Sequence, residues 1–373
     1  MKKIHITLIG GEVFPSYYTI AEFNPGITYL IGTKQSATQM ENIGKVLEQK
    51  GWSYEKRITL PDRVLETIKV CEKIHEENGT DCEYIYNLTG GTKPMAFGAM
   101  KCAQDHEAKM VYTDAKVVLN IDTDEPTPLT NKITLNDLFT LQGQKMKRGE
   151  PYESDSSRLE CAEDIKEFIT KHRKEYNDLR KEYDRYNQIR REFNYQNYSG
   201  ISFYRTQDSL RIEDIKGKEI FSSHCRDAYK MLLEGRWWET LVAESVDKWA
   251  DGKYGVWTSV EFDTKTKTTS PNGKVKDTTK NEMDVIVNLG NRMLFIECKS
   301  GGFDQNNIYK LNQVCENYGS RKSRGIIVAF MKNTVKPELV EKAKDSNIEI
   351  IVPNANFSSM ENDLNRIIKS LTV

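Results

Sequence analysis

The first 140 residues alternate between two hydrophobic periods, and this alternation is the strongest constraint on the fold. Short apolar runs at 3–9, 27–31 and 83–86 have the length and composition of buried strands, and amphipathic stretches of helical period separate them. Repeated strand–helix units favour a parallel sheet that helices cover on both faces. The sequence therefore predicts an α/β domain whose ligands bind at the carboxyl ends of the strands.

A glycine-rich turn follows the strand at 83–86 and leads into a helix. It reads Asn87-Leu88-Thr89-Gly90-Gly91-Thr92-Lys93-Pro94-Met95. The glycines let backbone amides approach a ligand, the helix start offers unpaired N–H groups, and Lys93 adds a positive charge. The GxxxxGK[ST] spacing of a Walker A loop is absent, and a plain strand–helix connection is the alternative interpretation of this turn taken alone.

Together with the order and length of the strands, this turn resembles the signature of CARF domains, the sensors of cyclic oligoadenylates in CRISPR systems. The resemblance implies a Rossmann-like sensor that forms a homodimer, with cyclic tetra-adenylate across the two-fold axis between the Gly90 and Gly91 turns. It implies ligand contacts from this turn, from the loop after the second strand and from the loop after the first. These residues are Gly10, Gly11, Glu12, Thr33, Lys34, Gln35, Asn87, Thr89, Gly90, Gly91, Thr92, Lys93 and Met95. A helix cap is the alternative for the loop 33–35.

The second informative stretch is Asp284–Lys299, which reads DVIVNLGNRMLFIECK. Two strand-like segments flank a glycine-containing turn, so the stretch predicts a hairpin. Because strand side chains alternate between faces, Glu297 and Lys299 should point to one side, Cys298 should enter the core, and the partner strand can bring Asp284 beside the pair. Carboxylate oxygens suit Mg²⁺ or Mn²⁺, and such an ion can polarise a phosphodiester. A surface ion cluster is the alternative, but burying these groups is costly unless they serve one another or a metal.

The spacing Asp-x₁₂-Glu-x-Lys resembles the PD-(D/E)xK nuclease superfamily, over about the last third of the chain. Met283 stands where that motif often has proline. The resemblance implies a restriction-endonuclease-like α/β domain with Glu239, Asp284, Glu297 and Lys299 as catalytic residues. It also implies a metal held by Asp284, Glu297, the backbone carbonyl of Cys298, and Glu239. Glu239 lies near the start of a predicted helix, where Glu244 is the competing acid and a solvated glutamate is the alternative interpretation.

Composition and charge limit the remaining possibilities. The length of 373 residues suggests two domains with a module between them, predicted as a CARF sensor at 1–142, a linker and helical connector at 143–225, and a nuclease domain at 226–373. No apolar run reaches the roughly 18 residues of a membrane-spanning helix, so we expect a cytoplasmic protein without membrane contact. The 7 cysteines lack CxxC spacing and the 5 histidines are scattered, which predicts reduced thiols rather than a disulfide frame or a zinc site.

Two further segments have interpretable charge patterns. Residues 157–197 carry apolar positions at steps of three and four among dense charges of both signs, which predicts one or two long amphipathic helices. Residues 264–280 contain five lysines and one aspartate within a predicted hairpin, to which a phosphate backbone could bind. A solvated hairpin is the alternative there. The net charge of −1 means that nucleic-acid binding must depend on such local patches.

These observations predict a homodimeric, metal-dependent nuclease that hydrolyses DNA, RNA or both. Cyclic oligoadenylate bound at the CARF domain would activate it in type III CRISPR antiviral defence. The first alternative is a ligand-gated regulator that binds nucleic acid without cleaving it, and the second is an unregulated restriction-type endonuclease. An intact Asp/Glu/Lys set favours the nuclease over the regulator.

Overall fold

The computed structural model describes residues 1–114, 117–131, 133–188, 197–198, 201–263, 268–269, 275–276, 279–290, 292–319 and 323–371. The chain divides into two compact units, Met1–Met146 and Lys147–Val373. Both units combine helices with a mainly β core, so the predicted α/β fold class is confirmed. None of the helices in these ranges is both long and apolar enough to cross a lipid bilayer.

The first unit is built on a sheet of seven strands, ordered β3-β2-β1-β4-β5-β6-β7. Its elements are β1 (Lys2–Leu8), α1 (Phe14–Phe23), β2 (Ile27–Gly32), α2 (Ala37–Gln49), β3 (Tyr54–Ile58), α3 (Val64–Asn78), β4 (Cys82–Asn87), α4 (Lys93–Asp105), β5 (Lys109–Thr113), β6 (Val117–Asn120), β7 (Pro126–Pro128) and α5 (Leu135–Leu141). Strands β1 to β5 pair in parallel, and β6 and β7 continue the sheet antiparallel. The parallel sheet follows the predicted strand–helix units.

The core of this unit buries β1 on both faces. Ile4, Ile6 and Leu8 pack against α3 and α4 on one face, while His5 and Thr7 are buried on the other. A central parallel strand is covered on both faces, so even its polar positions are buried. Helix α1 was not predicted from the sequence, because its FPSYYTIAEF segment is buried over most of its circumference and shows no amphipathic period.

The second unit contains a sheet of six strands, ordered β19-β18-β17-β16-β13-β8, and a smaller sheet of β9 to β12. Its elements are β8 (Met146–Pro151), α6 (Ser156–Lys171), α7 (Arg173–Gln188), β9 (Asn197–Tyr198), β10 (Ile201–Arg205), β11 (Leu210–Glu213), β12 (Glu219–Ser223), α8 (Ala228–Glu234), α9 (Arg236–Ala250), β13 (Gly255–Asp263), β14 (Thr268–Thr269), β15 (Val275–Lys276), β16 (Thr279–Asn288), β17 (Met293–Lys299), α10 (Gln305–Tyr318), β18 (Arg324–Ala329), a 3₁₀ turn (Lys332–Thr334), α11 (Pro337–Asp345), β19 (Ile348–Ile351) and α12 (Ser358–Leu371).

Two features of this unit refine the sequence prediction. Part of the polar stretch interpreted as a linker forms β8, an edge strand of the six-stranded sheet. Because one side of an edge strand faces solvent, a polar sequence is compatible with it. The predicted amphipathic segment forms α6 and α7, and α6 packs with α9 in the same core as the sheet. The connector helix α6 therefore belongs to the compact unit that contains α9.

The loops after β1 and β4 approach each other so closely that two positions accept only glycine. A Cβ atom on Gly90 would overlap the carbonyl oxygen of Leu8, and a Cβ on Gly10 would lie 3.0 Å from the amide nitrogen of Gly91. Gly91 has a φ of +74°, a conformation that side chains with a Cβ rarely adopt. The two glycines of the TGGT turn thus serve backbone packing at the carboxyl edge of the sheet.

We expect Gly90→Ala to destabilise the protein by about 1–3 kcal/mol, the usual cost of overpacking, because the rigid Leu8 carbonyl cannot yield. Thermal and denaturant unfolding monitored by circular dichroism would measure the loss. Gly11→Ala is the matched control, since nothing lies within 4 Å of its Cβ position. Equal stability of the two variants would contradict the close approach of the two loops.

Candidate active site and ligand turn

The start of α9 lies against the end of β17. Gly235, which precedes α9, has a φ of +85°, and a Cβ there would lie 2.8 Å from the hydroxyl oxygen of Ser300. The indole nitrogen of Trp238 donates a hydrogen bond of 2.9 Å to the carbonyl oxygen of Val328 on β18. These contacts fix the first turn of α9, which carries Glu239, beside the carboxyl end of the central strand.

Strands β16 and β17 pair as the predicted hairpin, with Val285 opposite Ile296. One oxygen of the Asp284 carboxylate accepts a hydrogen bond of 2.7 Å from the backbone amide of Cys298. The Cys298 side chain is buried among the apolar residues of the core. On the other face of β17, the Lys299 ammonium lies 2.6 Å from a Glu297 carboxylate oxygen. The structure thus brings Asp284, Glu297 and Lys299 to one end of the hairpin.

The electrostatics of this cluster are dominated by burial and by repulsion between acids. Burial is the main cause that raises the pKa of Glu239 to about 7, and the charges of Glu282 and Glu297 add to it. Burial also raises the pKa of Asp284 well above its ordinary value, with further contributions from Glu297 and Glu239. Glu239, Asp284 and Glu297 therefore influence one another, although they come from separate helix and strand positions.

The pKa of Lys299 shifts in the opposite direction from that of a lysine that is only buried. Burial disfavours its charged form, but attraction and hydrogen bonding to Glu297, with a smaller contribution from Asp284, raise its pKa above the ordinary value. Lys299 is therefore a protonated ammonium at neutral pH. It can donate hydrogen bonds to a water molecule or to developing negative charge, but it does not hold a free lone pair that could accept a proton.

The sequence patterns missed Glu282, an acid near the cluster, and the alternative acid Glu244 has other partners. Glu282 stands two residues before Asp284 on β16 and interacts electrostatically with Glu239. The strand period of two could have identified it, because residues i and i+2 share a face. Glu244, the competing acid on α9, accepts a hydrogen bond of 2.8 Å from the Tyr152 hydroxyl and pairs with Lys248 at 3.0 Å. The cluster thus involves Glu239 rather than Glu244.

The donor chemistry of the cluster fits a divalent cation that prefers oxygen ligands. Three carboxylates interact here with one lysine ammonium, so a cation would relieve the repulsion between acids that, together with burial, raises the pKa values of Glu239 and Asp284. The residues that would hold it are Asp284, Glu297 and Glu239, and the buried side chain of Cys298 leaves only the backbone carbonyl of that residue for coordination. Within the described part of the chain, the oxygens of these three carboxylates do not all come within 4.8 Å of one another.

In the first unit, a network of buried hydrogen bonds fixes the TGGT turn. The Asn87 amide donates to the hydroxyls of Thr7 and Thr19, at 3.0 and 3.1 Å, and its oxygen accepts from the backbone amide of Thr89 at 3.1 Å and from the Thr89 hydroxyl at 2.6 Å. The Thr89 hydroxyl in turn accepts from the backbone amide of Thr113 at 2.7 Å. Asn87 thus has its polar atoms engaged inside the fold and positions the turn.

Some of the other predicted ligand residues are buried and others are exposed. Met95 lies in the core, and Thr33 is buried and bonded to Ser36. Thr92 is exposed, and it caps α4 through the Met95 amide and bonds to the Pro61 carbonyl. The other exposed residues are Gly11, Glu12, Lys34, Gln35 and Lys93. Because β2, β1 and β4 are parallel neighbours, their three following loops share the carboxyl edge of one sheet. The exposed residues therefore offer two lysines and several polar groups at that edge.

The basic hairpin predicted at 264–280 lies largely outside the described residues. Strands β13 and β16 pair antiparallel up to Asp263 and Thr279, and the short strands β14 and β15 pair with each other. The five-lysine surface stays a prediction.

Two family models match the chain, and together they cover most of it. A model of the Card1 CARF domain matches residues 4–138, and a model of the Card1-like endonuclease domain matches residues 225–368. The chain thus matches a Card1 CARF domain in its first part and a Card1-like endonuclease domain in its last part. The predicted combination of an N-terminal CARF domain with a C-terminal nuclease domain is confirmed by these matches.

Solved structures of the same fold extend over nearly the whole chain. Can2 from Sulfobacillus thermosulfidooxidans, solved in complex with cyclic tetra-adenylate, has a TM-score of 0.72 at 16% identity, over 98% of this chain and 99% of that one. Protein VC1899 from Vibrio cholerae has a TM-score of 0.74 at 14% identity, over 99% and 98%. A type III CRISPR defence DNA nuclease activated by cyclic oligoadenylate has a TM-score of 0.55 at 16% identity, over 88% of this chain and 45% of that one. No curated protein matches the chain in sequence.

The raised pKa of Glu239 generates a prediction about stability without metal. Its pKa is about 7 in the folded protein against an ordinary 4.5, so the stability that its protonation contributes is complete below about pH 4.5 and is lost as pH rises through about 7. In EDTA, the wild type should lose more stability than Glu239→Gln between about pH 5 and pH 8.

Tryptophan fluorescence is a suitable readout of this difference, because four of the five tryptophans lie in the second unit. Glu338→Gln, at an exposed position on α11, is the matched control and should keep the wild-type slope. If the stabilities of the wild type and of Glu239→Gln change in parallel with pH, Glu239 does not lie in a buried environment rich in acids.

Proposed function

We propose that the protein is a divalent-metal-dependent nuclease that cyclic oligoadenylate activates, as part of type III CRISPR antiviral defence in the cytoplasm. The observation that carries the nuclease assignment is the convergence of Asp284, Glu297 and Lys299 at the end of one hairpin, with Glu239 interacting electrostatically with all three. The family match to an endonuclease domain supports the same assignment. The fold shared with Can2 in complex with cyclic tetra-adenylate, and with a type III CRISPR DNA nuclease activated by cyclic oligoadenylate, supports the proposed ligand class and defence context.

In the proposed reaction, a phosphodiester of DNA or RNA binds at the end of β17. A bound Mg²⁺ or Mn²⁺ would supply Lewis acidity at the phosphate. Lys299 stays protonated and is held in place by Glu297, so it orients the attacking water and stabilises negative charge as it develops. Asp284 is held by the Cys298 amide, which fixes one carboxylate oxygen and leaves the other for the cation. Glu239 completes the acidic set from α9.

The proposed ligand site is the exposed carboxyl edge of the first sheet. Backbone amides near Gly91, the start of α4 and the ammonium of Lys93 can bind phosphate groups of a cyclic tetra-adenylate. Helix α4 is 13 residues long and begins at Lys93, so its first turn adds positive potential at this edge. Gly10, Gly11, Glu12, Lys34 and Gln35 are proposed to line the same site from the neighbouring loops.

The proposed homodimer is supported by apolar side chains near this edge. Leu60, Leu65 and Phe97 are 51%, 69% and 55% exposed, which is unusual for residues of this size. Helices α3 and α4 pack tightly enough that a Cβ on Gly98 would lie 2.6 Å from the Val64 carbonyl oxygen, so Leu65 and Phe97 come from adjoining segments. A second copy would cover these side chains and bring its own ligand turn to the other side of a cyclic tetra-adenylate that lies across the two-fold axis.

A route for activation is suggested by the connector. Helix α6, which follows β8, packs against α9, and α9 carries Glu239. A shift of α6 would therefore move the helix that supplies one of the three acids. Ligand can favour the active arrangement only by binding it more tightly than the resting one.

The decisive test is cleavage of plasmid DNA and of single-stranded RNA with Mn²⁺, with and without cyclic tetra-adenylate. We expect cleavage only with both, and loss of cleavage in EDTA. Glu297→Ala should lower the rate by at least about 100-fold, because the cation contributes several kcal/mol of transition-state stabilisation. It should still bind cyclic tetra-adenylate. Glu341→Ala, at an exposed position on α11, is the control.

Each contrary outcome of this test has a definite meaning. Full activity without cyclic tetra-adenylate would identify an unregulated endonuclease. Ligand-dependent nucleic-acid binding without cleavage by the wild type would identify a regulator. Undiminished cleavage by Glu297→Ala would reject the assignment of this hairpin.

Lys93→Ala tests the ligand site separately from the nuclease. We expect about 10- to 100-fold weaker binding of cyclic tetra-adenylate, the usual effect of losing one charged hydrogen bond. Isothermal titration calorimetry measures the affinity, and cleavage at saturating ligand should recover to the wild-type rate. Lys45→Ala, an exposed lysine on α2, is the matched control. Unchanged ligand affinity in Lys93→Ala would exclude the TGGT turn as the binding site.

A further inference from the structure

Helices α3 and α4 each carry a cysteine followed four residues later by a histidine. The pairs are Cys71 with His75, and Cys102 with His106. Residues i and i+4 share one face of a helix, and these two helices pack together in the core of the first unit. The histidines were interpreted as isolated in the sequence, and for His75 and His106 that interpretation was wrong.

The side chains meet at distances typical of a metal site before the ion binds. One ligand atom from each of His75, Cys102 and His106 lies within 4.8 Å of the others, the only such His/Cys/Asp/Glu group among the residues described. The two imidazole rings stack with centroids 3.7 Å apart. His75 and Cys102 are buried, whereas His106 is exposed and leaves a path from solvent.

The outer contacts of both imidazoles resemble those that orient metal-bound histidines. The Nε2 atom of His106 lies 2.8 Å from a Glu72 carboxylate oxygen, and the Nε2 atom of His75 lies 2.8 Å from the Tyr86 hydroxyl. A ring nitrogen bonded in this way leaves the other nitrogen for a cation. The Cys102 thiol lies 3.3 Å from the second Glu72 oxygen, so Glu72 contacts two of the three candidate ligands.

We propose that His75, Cys102 and His106 bind a transition-metal ion of the zinc class, with Glu72 as an outer-shell or fourth ligand. Two imidazoles and a thiolate select Zn²⁺ over Mg²⁺ and Mn²⁺, which prefer oxygen ligands. The thiol proton is released to solvent when the ion binds. This donor set differs from the all-oxygen set proposed for the nuclease, so the two sites take different metals.

The bound ion would join α3 to the end of α4, the helix that begins next to the proposed ligand turn. Helix α4 begins at Lys93, next to the TGGT turn, and His106 follows its last residue. Tyr86, which contacts His75, directly precedes Asn87, the residue that anchors the turn. The ion binds only the folded state, so it stabilises this unit in proportion to its concentration over its dissociation constant.

The test uses full-length protein, stripped of metal with a chelator and titrated with Co²⁺ as a spectroscopic probe. We expect about one bound Co²⁺ per chain, with a thiolate-to-Co²⁺ charge-transfer band that disappears when Zn²⁺ displaces the Co²⁺. Cys102→Ser should lose the band, and Glu72→Gln should weaken Zn²⁺ affinity about 10- to 100-fold. Zn²⁺ should raise the unfolding temperature of the wild type. His224→Ala, at an exposed histidine in the second unit, and Asp284→Ala should both keep the thiolate band.

The proposal fails if the wild type shows no thiolate band, or if Cys102→Ser keeps it. It also fails if Asp284→Ala removes the band, since the ion would then occupy the nuclease site. Glu72 is half-buried and contacts both Cys102 and His106, and Glu72→Gln keeps the size of the side chain, so the variant tests these contacts without opening a cavity. Two results together would identify the cluster as a hydrogen-bonded core feature only. Glu72→Gln would keep the wild-type Zn²⁺ affinity, and Zn²⁺ would leave the unfolding temperature of the wild type unchanged.

Discussion

The hydrogen bond from the Cys298 amide to the Asp284 carboxylate is the contact on which the proposed nuclease site depends. It joins the two strands of the hairpin just beyond their last regular pair, Val285 with Ile296. It also places the Asp284 carboxylate near the face that carries Glu297 and Lys299. The alternation of strand residues then sends Cys298 into the core and leaves the charged pair on the opposite face. A shift of one residue in this register would bury the charges and expose the cysteine.

An apolar core is what makes this concentration of acids tolerable. Trp237 and Trp238 pack against Phe330, and the Trp238 indole bonds to β18, so these contacts hold α9 and its glutamate against the sheet. The protein therefore holds Glu239 and Asp284 in an arrangement that raises both pKa values. Such repulsion is characteristic of sites that a ligand completes, because a bound cation would recover free energy that the fold alone loses to repulsion.

Sequence patterns predicted the elements whose period is simple and left out those that depend on long-range packing. The strand period identified Glu297 and Lys299, and apolar runs identified β1, β2 and β4. Helix α1 was missed because nearly all of it is buried. Asn87 and Met95 look like their exposed neighbours in the turn, and only the hydrogen-bond network and the core show that they face inward. The His75 and His106 pairing was missed because the partners lie on separate helices.

The first unit connects its two proposed ligand sites through elements that both sites share. Strand β4 runs from Tyr86, which contacts His75, into Asn87 and the TGGT turn, and α4 runs from that turn to the cysteine and histidine of the metal cluster. A metal ion that orders α3 against α4 would reduce the conformational freedom that cyclic oligoadenylate must otherwise remove from the start of α4. Linkage then requires the reverse effect of equal size, so that oligoadenylate binding tightens the metal site.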